Sequence, residues 1–178
     1  MLGCYNNFPT KIHGIARYNY HISTQQLQKT IVYTTYLLNQ ETYDLKTLTK
    51  SSLINCKINF EFGIAEQDTF TFLDENETER FFQGIENEPK GSLPILDFFC
   101  AIRYHIINPD GRSKSLRFDY TLLRFAFQRR VMELFIVHER GTQRLPLEDL
   151  VIFLTNRLNN ELKKRELKIL SSRHMRTL

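Results

Sequence analysis

From Leu96 to Ile106 every second residue is apolar: Leu96, Phe98, Cys100, Ile102, Tyr104 and Ile106. A period of two places those side chains on one side of an extended chain, which is the pattern of a strand with one buried face. The same period recurs elsewhere. Ile12, Ala16, Tyr18, Tyr20 and Ile22 oppose His13, Arg17, Asn19 and His21, and Ile54, Cys56, Ile58, Phe60, Phe62 and Ile64 oppose Asn55, Lys57, Asn59 and Glu61. Asn108-Pro109-Asp110-Gly111 is a turn sequence, after which Leu116, Phe118, Tyr120 and Leu122 alternate with Arg117, Asp119 and Thr121. At Leu122-Leu123 the phase changes, and Leu123, Phe125 and Phe127 continue one residue off, as a β-bulge in this strand would cause. Arg129-Arg130 reads as a turn into a last strand through Met132, Leu134 and Ile136.

Helical spacing interrupts this pattern three times. Ser23 with Gln26, and Asp74 with Glu77, are capping boxes: the first side chain accepts the amide three residues on. The first introduces a helix over 24–38 with Leu27, Ile31, Thr34 and Leu38 in phase. The second introduces a short helix with Phe81, Phe82 and Ile85. Pro146 suits a first helical turn, and Leu147, Leu150, Val151, Leu154, Leu158 and Leu162 form a stripe over four turns. A short strand through Phe70 and Phe72 follows a hairpin turn at Glu66-Gln67-Asp68.

The order is therefore β-α-β-β-α-β-β-β-α, an α+β chain whose antiparallel, strongly curved sheet packs against a long C-terminal helix. The expected organisation is one domain over 1–178, with 1–11 as an N-terminal arm and about 169–178 as a basic tail. A bent sheet gripping the last helix can leave a cavity between them; a flat sheet would need a second chain on its other side, hence a homodimer. No motif carries a family resemblance. Only the outline, a meander followed by a helix, is similar to helix-gripping ligand-binding domains, and an outline does not give function.

Composition narrows the classes. Hydrophobic residues at 42% and charged residues at 25% suit a folded chain, not a disordered one. Fourteen Phe and eight Tyr with no Trp point to a core of Phe, Leu and Ile. Cys4, Cys56 and Cys100 are odd in number and widely spaced, which is no disulfide framework and leads us to expect a reducing, cytoplasmic setting. The first residues lack the features of a signal peptide, and no apolar run is long enough to span a membrane, so no membrane partner is expected. The net charge is +4 and the isoelectric point about 9.0. Residues 163–178 hold six basic groups against one acid, a net of +5, which leaves −1 for the rest.

Candidate chemistry is sparse. No His pairs with another ligand at chelating spacing; His13 and His21 share a strand face but stand roughly 26 Å apart. His138-Glu139 begins a zinc-protease box, yet position 142 is Thr. Neither a metal nor a cofactor is expected. Cys56 and Cys100 lie in the apolar phase of their strands, the place of a packed thiol. Gly-rich phosphate loops and a nucleophile elbow are absent.

Three groups of residues remain. On the polar strand faces, Arg17, Arg103, His105, Arg117 and Asp119 would form an anion-holding patch if their strands adjoin. Any wet sheet face carries such residues, however. Arg140 and Arg144 bracket the loop before the last helix, where amides, the helix dipole and two guanidinium groups could hold a phosphate or carboxylate. Lys163, Lys164, Arg165, Lys168, Arg173 and Arg176 could contact a polyanion, although cations in a last helical turn also complement its dipole. Tyr33, Tyr36, Phe81, Phe82 and Phe99 do not all fit one buried face; they suit a dimer patch or a satellite core.

The reading that follows is a non-enzymatic binding or accessory domain. It takes a small anionic ligand or a protein partner in the sheet–helix cavity or at the Arg-rich loop. One alternative is a nucleic-acid-binding protein using its basic end. The other is a small enzyme with an Arg/His/Asp site on the sheet.

Overall fold

A computed structural model of the chain describes residues 1–164 and, as backbone only, residues 171–177. Period-two segments become strands and capped segments become helices, in the order β1 (Gly14–Asn19), α1 (Thr24–Leu38), β2 (Thr42–Asp44), α2 (Leu45–Leu48), β3 (Cys56–Glu66), β4 (Thr69–Phe72), α3 (Glu75–Glu86), β5 (Ile95–Ile107), β6 (Ser113–Ser115), β7 (Asp119–Gln128), β8 (Val131–Arg140), α4 (Leu147–Lys164) and β9 (Ser171–Thr177). The nine expected elements are all present. The short β2, α2 and β6, and β9 within the expected basic tail, are additional. Three-residue strands and a four-residue helix are too short to show a period.

The strands form one antiparallel, strongly curled sheet in the order β2-β3-β5-β7-β8-β1-β9, with β4 on β3 and β6 on β5. The inside of the curl is a filled core. Ile58, Phe60 and Phe62 of β3, Phe98 and Tyr104 of β5, and Leu123 and Phe125 of β7 meet Leu27 and Ile31 of α1 and Leu150, Leu154, Leu158 and Leu162 of α4. Burying side chains of this size contributes about 1.5–3 kcal/mol each, so α4 is held by its leucine stripe more than by propensity. Side chains of the sheet and of α4 thus face each other across the inside of the curl.

Both caps form: the Ser23 side chain accepts the Gln26 amide at 3.1 Å and Asp74 accepts the Glu77 amide at 2.8 Å. The β-branched middle of α1 is satisfied locally, because Thr30, Thr34 and Thr35 donate to the carbonyls four residues back. Gln28 is fully buried, and its amide group bonds both the N–H and the C=O of Leu93, tying α1 to the loop after α3. At the β7–β8 hairpin, Arg129 and Arg130 both adopt positive φ, 47° and 68°. Two left-handed residues are what a tight hairpin of this twist demands.

The expected phase change in β7 does not occur. Residues opposed in an antiparallel pair share a face, and Ile102 opposes Asp119, Cys100 opposes Thr121 and Phe98 opposes Leu123. Asp119, Thr121, Leu123 and Phe125 therefore keep one inward phase, and all four are buried. The irregularity lies in the partner: Tyr120 opposes Arg140 while Thr121 opposes His138, so Glu139 is the extra residue and β8 carries the bulge. The apolar run Phe118, Tyr120, Leu122 misled because it lies on the outer face, where the N-terminal arm and β4 give it company.

Candidate binding groove on the outer face

The arm is held by a buried ion pair. Asp97 on β5 opposes Arg124 on β7, both outward, and the guanidinium bonds the carboxylate through two N–H groups at 2.8 and 2.7 Å. Asp97 is fully buried, and what buries it is the arm itself. The Tyr5 N–H donates to Asp97 Oδ2 at 2.7 Å, its carbonyl accepts from Arg124 at 3.2 Å, and the Phe8 ring covers Arg124 with its centroid 4.1 Å from Cζ. Upstream, the Gly3 N–H donates to the Ala65 carbonyl on β3, while its own carbonyl accepts from the Asp97 N–H on β5. Gly3 has φ +75°, and a Cβ there would press on Leu96 and the Ile95 carbonyl, so only glycine passes.

This anchoring sets Tyr5 at the end of a row of rings across the outer face. Tyr5 meets Phe70 of β4 at a centroid distance of 4.7 Å, Phe70 meets Phe99 of β5 at 5.7 Å, and Phe99 meets Tyr120 of β7 at 5.6 Å. Phe118 continues the row at 6.2 Å, and the Arg103 guanidinium caps it 5.0 Å from the Phe118 centroid. All five rings are half-buried. Tyr5, Phe70, Phe99, Tyr120 and Leu122 line a groove of about 590 Å³ whose rim carries Glu139 and Arg140. The β8 bulge puts those two charged side chains beside the rings.

The residues singled out from the sequence scatter. Arg17 is outward on β1 and pairs with Glu133 of β8 at 2.5 Å. Arg103 and His105, outward on β5, share a second groove of about 410 Å³ with Phe118, Ser113 and Ser115, and Arg103 also pairs with Glu61 at 3.0 Å. Arg117 is exposed just before β7. Asp119, expected beside them, points inward instead. Its carboxylate accepts the Tyr104 O–H at 2.6 Å and the N–H groups of Gln143 and Arg144 at 2.8 and 3.0 Å. Tyr104 Oη accepts the Leu145 N–H at 3.0 Å.

The loop before α4 does bind an anion, then, but the anion is Asp119 of the same chain. Arg140 and Arg144 do not form a clamp: Arg140 lines the outer groove, and Arg144 turns its Nε into the interior, without a hydrogen-bond partner among the described residues. His105 and Asp119 lie on opposite faces. The imidazole near Asp119 is His138, whose Nε2 stands 3.6 Å from Oδ1.

Of the basic end, Lys163 and Lys164 close α4, and Lys164 pairs with Glu161 at 3.0 Å. Arg173 and Arg176 belong to β9, where Arg176 opposes Ile15. Arg165 and Lys168 lie outside the described residues. Burial pushes the thiols of Cys56 and Cys100 up from the ordinary value, which makes both poor nucleophiles at neutral pH. Among the described residues no group of three or more His, Cys, Asp or Glu is arranged to hold a metal, and no helix is long and apolar enough to cross a membrane.

Sequence reasoning placed Asp97 on the polar face of its strand beside Arg103 and His105, but it missed Arg124 and, Phe99 apart, the ring row. Asp97 is the one acid in β5, and that was a usable signal. Its partner 27 residues on was not legible without the register.

Fold and groove define a class: a curled antiparallel α+β sheet wrapped on a C-terminal helix, with an aromatic groove on its outer surface. Comparison with family models, curated proteins and solved structures finds no significant match to this chain.

Proposed function

We propose that the chain is a non-enzymatic binding domain whose ligand is a small anion carrying a flat ring. The observation that carries this reading is the outer groove, with rings from the arm, β4, β5 and β7 facing one space and Arg140 at the rim. Its volume of about 590 Å³ falls in the range of small-molecule sites. Half-buried rings supply stacking surface without further ordering, and a guanidinium favours a carboxylate or phosphate on the same molecule. Glu139 on the same rim selects against a second negative group beside it.

Sodium 2-naphthoate tests this, with 2-naphthylmethanol as the uncharged control, followed by saturation-transfer NMR. Naphthoate binds the intact chain; Tyr120→Ala abolishes binding, and Arg140→Gln removes most of the preference for the acid over the alcohol. Equal binding of acid and alcohol by the intact chain, or naphthoate binding unchanged in both variants, overturns the reading.

A further inference from the structure

A third groove of about 500 Å³ lies between α1 and α3 and shares no lining residue with the two grooves above. Tyr33 and Tyr36 line it from α1, and Glu75, Glu79 and Phe82 line it from α3. The spacings explain the arrangement. Positions three and four apart on a helix are neighbours on one face, so Glu75, Glu79 and Phe82 form one stripe and Tyr33 and Tyr36 another. The three rings are half-buried and the two carboxylates exposed. Tyr33 and Tyr36 stand tilted, with centroids 6.2 Å apart.

Two features of this groove point to a cation. Glu75 and Glu79 are like charges four residues apart, an arrangement that mildly destabilises a helix. Neither has an ion-pair partner among the described residues; the nearest recorded donor to Glu79 is the neutral Gln83 amide at 3.3 Å. Helix polarity accounts for Glu75 in the first turn, but Glu79 sits a turn later, beyond the reach of that effect. The same helix pair already uses the chemistry once: Lys29, one turn before Tyr33, places Nζ 6.0 Å from the Phe82 centroid and gives its charge to Glu86.

We propose that this groove binds an organic cation of the methylated-ammonium class, with Tyr33, Tyr36 and Phe82 as ring walls and Glu75 and Glu79 as counter-charge. A methylated ammonium is weakly hydrated, so ring faces compete with water for it far better than for a bare ammonium. A free quaternary amine and a methylated lysine on a partner peptide present the same group. The site is independent of the outer groove, and neither depends on the other.

The test is a two-dimensional amide NMR titration of the full chain. The probes are choline, its neutral isostere 3,3-dimethyl-1-butanol, and a short peptide carrying trimethyllysine or unmodified lysine. Choline or the trimethyllysine peptide produces saturating shifts at the amides of Tyr33, Tyr36 and Phe82, and the neutral alcohol does not. Tyr36→Ala weakens binding at least tenfold, Tyr36→Phe retains it, and Glu79→Gln weakens it while the remaining amide spectrum stays dispersed. A choline-only response assigns the site to free amines; tighter binding of the methylated peptide assigns it to a protein partner. Equal shifts from the neutral alcohol, or none from either cation, overturn the proposal.

Discussion

Asp97 and Arg124 face each other across β5 and β7, and together they bind the backbone N–H and C=O of Tyr5. An ion pair that would stand on an exposed sheet face is thereby sealed under the arm, and the arm is ordered by it. Because Tyr5 lines the groove, the groove is complete only with the arm docked.

Removing Arg124 leaves Asp97 unpaired, and release of the arm then lets water reach it. Arg124→Ala therefore destabilises the chain by about 1–3 kcal/mol, less than for a charge that stays buried. It also frees the arm, so the Tyr5 amide exchanges with solvent as fast as an unprotected one. Urea denaturation and hydrogen exchange measure the two effects. A stable variant with a protected Tyr5 amide would show that the pair does not hold the arm.

Gly141 has φ +116°, and a Cβ there would collide with Asp119 Oδ1 and the Phe118 carbonyl. Gly141→Ala must push the loop off Asp119, breaking its bonds to the Gln143 and Arg144 amides. We expect a loss of roughly 2–4 kcal/mol, as for other forced backbone changes at buried polar sites. Thermal unfolding would measure it, and an unchanged midpoint would mean that the loop moves without cost.

The tyrosines set an alkaline limit. Burial above all raises the phenols of Tyr18, Tyr43 and Tyr104 above the ordinary value, and for Tyr104 the neighbouring Asp119 adds to it. The folded state therefore holds these protons more tightly than the unfolded chain does. Their contribution is fully present below the unfolded value near 10 and is lost as pH rises from there toward the folded values. Stability measured by denaturant should fall above about pH 10, with an earlier, smaller decline from about pH 8.5 as the two buried thiols join. Tyr104→Phe makes the fall shallower and costs about 1–3 kcal/mol at neutral pH, because the Leu145 N–H loses its acceptor. A fall as steep as in the unaltered chain would remove Tyr104 from this account.

Arg129 occupies a left-handed position at the first central residue of the β7–β8 turn. Asn tolerates that conformation better, so Arg129→Asn stabilises by about 0.5–1 kcal/mol. Arg130 should be kept, since its guanidinium bonds the carbonyls of His21 and Ile22. Differential scanning calorimetry would register the gain as a higher Tm; a lower Tm would mean that the Arg129 side chain makes a contribution the backbone strain conceals.

Much of the fold was legible. Ser23 and Asp74 start their helices where the capping pattern places them, and Ala16, Tyr18 and Tyr20 face inward as their spacing requires. The site was legible only in part. Arg140 and Arg103 do border grooves, but alternation could not say which side of β7 was wet. Phe118, Tyr120 and Leu122 are as apolar as Leu123 and Phe125, and a strand apolar on both sides has no readable inside.

By itself the sequence determined nine of the described elements, the antiparallel character of the sheet and the helix that fills the curl, because these depend on local periods, caps and turns within a few residues. Tertiary structure alone decided that Asp119 serves the loop before α4, that Asp97 finds Arg124, and that the arm walls a groove. Each of those depends on the register between strands and on the position of the β8 bulge. A one-residue shift in either turns a side chain to the opposite face, and no local pattern encodes it.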